Sequence, residues 1–227
     1  MTLAVGCAHQ GLGTVPPAMP SASLRDDAPE AGLQTLFRVR YQGTDGRGRI
    51  KLTTRVADRD HFQLAAADSF GRQHWSLEAW PGRTLFLDHR QRRACLFEGD
   101  VVLPVIALAE LPISLLPRVL AGQLPVEMPA DVEIGADGET SRWSGGDGRE
   151  WSAALDGEGG IKRWTLWVDQ QPLLWFRAQG DGGMLSHRRG AQVLWTRVAQ
   201  EPLKQELTPL ATPSGYARDS CEDSHVS

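Results

Sequence analysis

From Leu36 onward the chain alternates apolar and polar residues with a period of two, and this alternation limits the fold more than any other feature. In "FRVRY", Phe37, Val39 and Tyr41 fall on one face, and Arg38 and Arg40 on the other. "GRIKLTTRV" repeats the pattern with Ile50, Leu52, Thr54 and Val56. Period two is the signature of a strand with one buried face. "QGTDGRG" between the two stretches supplies turn chemistry. Further strands are predicted over His61–Ala67, Gln73–Trp80, Arg83–Asp88 and Arg92–Phe97, linked by the turn-rich "DSFG", "WPG" and "DHRQ". Links this short exclude parallel pairing, which needs a long crossover. The six strands must form an antiparallel meander.

The period breaks at "VVLPVIALAELPISLLPRVLAGQLP", Val101 to Pro125, which is nearly free of charge. A short helix is predicted over Leu115–Ala121, with Ser114 as its cap, Pro117 in the first turn and Gly122 as its stop. A second short helix is expected over Val101–Ala109, although Pro104 weakens it. Too short to cross a bilayer, this apolar segment must cover the open face of the sheet. Strands resume at Thr140–Ser144, Arg149–Leu155, Ile161–Val168, Leu173–Gln179 and Ala191–Val198, separated by "GGDG", "DGEGG" and "GDGG". The expected fold is mainly β (α+β), with about eleven antiparallel strands and a helical insert after the sixth.

Both ends lack periodicity. Residues 1–35 contain "AHQGLGTVPPAMPSASLRDDAPEAG", a Pro-, Ala-, Gly- and Ser-rich stretch expected to act as a flexible tether. Before it, Leu3-Ala4-Val5-Gly6-Cys7 resembles the box that precedes the lipid-modified cysteine of bacterial lipoproteins. The basic and apolar regions of a secretory signal do not precede it. Cys7 is therefore either the lipid attachment site of a truncated signal or an ordinary thiol. Residues 36–200 form the expected folded unit, and residues 201–227 an expected disordered tail.

Nothing in the sequence forms a catalytic constellation. There is no G-x-S-x-G elbow, P-loop or H-E-x-x-H, and the chain is not expected to be an enzyme. The six histidines have no paired ligand spacing, so neither a metal nor a cofactor is expected. A net charge of −4 without a basic stripe argues against nucleic acid. The three cysteines are widely spaced. Cys95 alternates with apolar neighbours and reads as a small buried hydrophobe, although pairing with Cys221 stays open. Tryptophan is abundant, with eight against two tyrosines. The rings serve either a tryptophan-rich core or the lining of an apolar ligand site.

Three stretches resemble the LolB family of outer-membrane lipoprotein receptors, and more distantly the periplasmic carrier LolA. They are "LAAADSFGRQHWSLEA" (Leu64 to Ala79), "LAELPISLLPRVLAGQLP" (Leu108 to Pro125) and the closing "GAQVLWTRVAQEPL" (Gly190 to Leu203). The second is the most specific, because its prolines and glycine match the family's helix punctuation. The resemblance implies an incomplete antiparallel barrel with a short helical plug over an apolar cavity for acyl chains. It further implies a lipid-anchored monomer facing the periplasm. Such a receptor accepts acylated lipoproteins from a LolA-like carrier and inserts them into the inner leaflet of the outer membrane.

Under that resemblance the cavity lining is expected to be Phe37, Val39, Ile50, Leu52, Phe62, Leu64, Leu77, Trp164 and Leu166 from the strands. The helix would add Leu115, Leu116, Val119 and Leu120. For each of them plain core packing is the other reading. Phe70 stands where the family carries a loop leucine, and is either a membrane-touching tip or a turn residue folded back on the sheet. Arg38, Arg40, Arg55 and Arg197 line polar faces, where one of them could latch the helix. Two other functions suit the same fold: binding of a different lipid or apolar ligand, and service as a structural subunit of an envelope complex.

Overall fold

The computed structural model describes residues 32–43, 46–58, 60–99, 111–145 and 149–219. Cys7, the helix expected over Val101–Ala109, and Cys221 lie outside the described residues. Six strands form the first meander: β1 (Leu33–Gly43), β2 (Gly46–Val56), β3 (Phe62–Ala67), β4 (Gln73–Trp80), β5 (Arg83–Asp88) and β6 (Arg93–Glu98). A second antiparallel run follows: β7 (Trp143–Ser144), β8 (Glu150–Leu155), β9 (Ile161–Val168), β10 (Gln171–Gln179), β11 (Gly182–His187) and β12 (Gln192–Pro202). The final strand is β13 (Ala217–Asp219).

All strands belong to one sheet in the order β13-β6-β5-β4-β3-β2-β1-β12-β11-β10-β9-β8-β7. The two runs meet where β12 returns to pair with β1, Val39 opposite Trp195, with a register shift at Leu36/Phe37. Such a sheet curls around one face without closing, an incomplete barrel of the expected kind.

Thirteen strands replace the expected eleven or so. The first addition, β11, begins with the glycine pair Gly182-Gly183, which reads as a turn in the sequence. The structure assigns those glycines another task. A Cβ on Gly183 would strike the ring of Phe176 on β10 and lie 2.9 Å from Cζ2 of Trp195 on β12. The glycine leaves room for two rings to meet across the strand between them.

The second addition, β13, lies in the expected disordered tail. Residues 203–219 instead run over the face of β3 and β4 that the alternation turns away from the core. Gln63 Nε2–H donates to the carbonyl of Thr208 (2.7 Å), and the Leu210 N–H donates to Glu78 Oε2 (2.5 Å). A hydrogen bond joins His89 Nδ1 and the Tyr216 hydroxyl at 2.8 Å. β13 then pairs in parallel with β6, Asp219 opposite Cys95. Pro209 and Pro213 prevent a regular element here, so the tail is ordered by scattered polar links that leave no periodic trace. Cys95 is disulfide-bonded rather than a simple hydrophobe, and its partner lies outside the described residues.

Between the runs, a 3₁₀ turn (Ile113–Leu115) leads into α1 (Leu116–Leu120), slightly shorter than the predicted helix. Ser114 is not its cap: it sits inside the 3₁₀ turn, and the N-cap position is Leu115, without a side-chain cap bond. Pro117 lies in the first turn as expected. Gly122 ends the helix at φ 79°, a left-handed conformation that costs glycine little.

Candidate functional site

The strands turn one apolar face toward α1, and all thirteen predicted lining residues gather there. Phe37, Val39, Ile50, Leu52, Phe62, Leu64, Leu77, Trp164 and Leu166 are buried in one cluster with Val119 and Leu120. Leu115 and Leu116 are partly buried against it. Period two explains the strand contributions, since every second residue must share this face. On the helix, Val119 and Leu120 face the sheet together with Ile113 before and Leu124 after.

Five large rings form a band across this face that the sequence reading did not assemble. Trp143 on β7 pairs with Trp151 on β8. Trp151 lies 5.7 Å from Trp164 on β9, centroid to centroid. Trp164 stacks on Phe176 at 5.6 Å, and Phe176 stacks on Trp195 at 5.7 Å. The last contact spans β11 over Gly183. The count of tryptophans left a tryptophan-rich core and a ligand lining both open, and only strand order joins residues as far apart as Trp143 and Trp195.

Trp195 also ties the sheet to the plug. Its indole N–H donates to the carbonyl of Leu120, a buried bond of 3.1 Å. A tryptophan therefore takes the latching place considered for an arginine. Arg55 Nε bonds Gln34 and Arg197 Nη1 bonds Gln200, both at exposed sites, and the side chains of Arg38 and Arg40 are exposed.

Three other members of the band, Trp143, Trp151 and Trp164, are buried with no hydrogen-bond partner for their indole N–H groups. A buried donor left unpaired costs about 1–3 kcal/mol, and native proteins keep such groups rare. By contrast, the outward Trp167 bonds Ser152 Oγ at 2.9 Å and stacks under Arg142.

Among the described residues this face is closely packed. The hollow beside the plug, lined by Phe37, Thr54, Val56, Pro117, Leu120 and Arg197 among others, measures about 160 Å³. Larger space lies on the other face, where Trp80, Leu85, Leu96, Thr212 and Arg218 line a groove of about 540 Å³.

Phe70 projects from the β3–β4 loop with 84% of its surface exposed, not folded back on the sheet. The loop beneath it is rigidly built. Asp68 Oδ1 accepts from the N–H groups of Phe70 (2.9 Å) and Arg72 (3.0 Å), and its Oδ2 accepts from Arg72 Nε (2.7 Å). Desolvation raises the Asp68 pKa, but the bonds from Arg72 and Phe70 outweigh it and hold the carboxyl below its ordinary value. The Arg72 guanidinium sits 5.7 Å from the Phe70 ring centroid. Among the described residues no cluster of metal-ligating side chains occurs, and no helix is long and apolar enough to cross a membrane.

No protein-family model matches the sequence, and no curated protein matches it either. Solved structures do match the architecture. A LolA-superfamily protein from Nitrosomonas europaea superposes with a TM-score of 0.55 at 9% identity, over 84% of this chain and 96% of the other. The fold is like that of this LolA-superfamily structure. A DUF1329-family protein from Desulfovibrio piger gives 0.54 at 7% identity, over 83% of this chain and 92% of that one. At these identities the likeness to LolA-superfamily structures is one of fold alone.

Proposed function

We propose that this chain is a lipid-anchored receptor that takes lipoproteins by their acyl chains from a LolA-like carrier and helps insert them into the outer membrane. The observation that carries the reading is the inner face: nine expected lining residues of the strands in one apolar cluster with Val119 and Leu120 of a five-residue helix. Cys7 serves as the anchor, the stretch before residue 36 as the tether, and exposed Phe70 as the contact with the inner leaflet. An aromatic ring suits a bilayer interface, and its loop is held rigid by Asp68.

Energetics favour this design without catalysis. Each buried methylene contributes about 0.8 kcal/mol. Three chains of about fifteen carbons gain roughly 36 kcal/mol in a bilayer, whereas non-covalent binding saturates near 20 kcal/mol. Transfer from protein to membrane then runs downhill with no energy source, and the receptor acts as a conduit rather than an enzyme. Moderate binding in a face that opens and refills is what the task requires.

The test is a transfer assay with the purified chain, a carrier loaded with fluorescent triacylated lipoprotein, and liposomes. The reading predicts transfer into liposomes, slowed about tenfold or more by Phe70→Glu, which places a charge at the apolar boundary. Absence of transfer, or a Phe70→Glu variant as fast as the unaltered protein, sinks it. The 160 Å³ hollow favours a second reading, a small apolar ligand bound without plug movement. Saturable binding of benzene-sized guests with no response to acyl lipids would select that one.

A further inference from the structure

We propose that the indole N–H groups of Trp143, Trp151 and Trp164 form a subsite for the carbonyl oxygens of fatty-acyl esters. The proposal rests on the acyl-binding reading above and deepens it. A purely apolar core has no use for these donors, since a core built from phenylalanine and leucine leaves no N–H unpaired. Yet three unpartnered indoles stand on three successive strands of one face, and all three belong to the apolar cluster that includes Val119 and Leu120 of the plug.

The fourth indole of the band indicates what the donors accept. Trp195 donates to a carbonyl oxygen, that of Leu120 in α1. In the closed form the plug thus offers the band one carbonyl, and three donors stay unused. A ligand that displaces the plug and carries two or three ester carbonyls supplies the missing acceptors while its chains replace Val119, Leu120 and Leu124 against the sheet. The rings provide apolar contact for the chains, and their N–H edges discriminate an ester from a plain hydrocarbon or an ether. Specificity of this kind follows from buried donors that only the right ligand satisfies.

The test compares lipids that differ only in the linkage. The full chain is titrated with a dipalmitoyl-glyceryl-cysteinyl lipopeptide, with its dialkyl ether counterpart of equal chain length, and with dipalmitoyl phosphatidylglycerol. One recovered hydrogen bond is worth about fivefold in affinity, so the ester lipopeptide should bind about tenfold or more tighter than the ether. Trp151→Phe and Trp164→Phe keep most of the ring and remove the donor. Each should weaken the ester lipopeptide about fivefold and leave the ether unchanged. With ¹⁵N-labelled indoles, the inner N–H resonances should move downfield with ester and stay with ether, a readout that needs no variant.

Equal binding of ester and ether by the unaltered protein overturns the subsite and leaves acyl binding standing. Equal weakening of both lipids by the Phe variants also overturns it, because ring area alone would then be at work. Binding of neither lipid removes the acyl reading and the subsite together. Tighter binding of phosphatidylglycerol than of the lipopeptide, with the lipopeptide still preferred over its ether counterpart, supports the subsite and assigns its source to membrane lipid rather than lipoprotein.

Discussion

The two faces of the sheet are covered by different chemistry. On the inner face, Ile113, Val119, Leu120 and Leu124 rest on aliphatic and aromatic side chains, with the bond from Trp195 as a directional contact. On the outer face, residues 203–219 are held by links from Gln63, Glu78 and His89, and by a parallel pairing beside the disulfide-bonded Cys95. Apolar contact is non-directional, so a hydrocarbon chain can replace a leucine with little loss. A hydrogen bond to a fully buried carboxylate such as Glu78 has no such substitute. The exchange for a ligand that we propose therefore falls to the inner cover and not to the outer one.

Removing the Cys95 disulfide should produce the largest effect. The partner of Cys95 is Cys7 or Cys221, the only other cysteines. The opposition of Asp219 to Cys95 favours Cys221, two residues further along the chain. Peptide mapping without reduction should recover Cys95 linked to Cys221. Cys95→Ala should cost about 2–5 kcal/mol in denaturant unfolding and loosen the tail while the plug stays protected. Linkage to Cys7 would detach this clamp from the tail and undo half of the contrast.

Next in size is Gly183→Ala. Its methyl group must displace Phe176 or Trp195, and overpacking of that sort costs about 1–3 kcal/mol. Because the ring band is broken, the loss should appear on the inner face, as altered near-ultraviolet circular dichroism with the tail unaffected. An unchanged spectrum would mean that the rings do not form a continuous band.

Trp195→Phe should cost about 1 kcal/mol or more and loosen the plug while leaving the tail in place. Amide exchange over residues 116–124 should accelerate about fivefold, with exchange in the tail unmoved. Equal acceleration of both would erase the distinction between the covers.

The smallest effect is set by pH. Burial pushes the pKa of His89 below its ordinary value, with Asp88 pulling the other way. The released tail therefore binds more protons at this site than the closed one. Stability from His89 is complete above about pH 6.5 and falls as pH drops through the lowered folded value. Protection near Tyr216, measured relative to the intrinsic exchange rate at each pH, should fall between pH 7 and 5, and His89→Gln should flatten that fall.

The strands that carry a clean alternation could be read directly: β4, β5 and β9 lie over the residues predicted from period and turns. The plug was also legible, because Pro117 and Gly122 punctuate it on both sides. What escaped had physical reasons. β11 opens with glycines that look like a turn but serve two rings on neighbouring strands. β13 and the tail are fixed by partners more than a hundred residues away, which no local pattern records. The lining positions followed from period two, whereas the ring band required the order β7 to β12 and could not be assembled from spacing. The latch was sought among arginines because charge is visible in a sequence, and an indole meeting a carbonyl is not.

The central claim is that acyl chains take the place of the plug on the inner face. Lipopeptides brominated near the ends of their acyl chains test it most directly, since bromine quenches indole fluorescence on contact. Saturable quenching that falls in a Trp151→Phe/Trp164→Phe double variant, together with faster exchange over residues 116–124, is the predicted result. Saturable binding without quenching of those indoles, or with the plug still fully protected, would contradict the account.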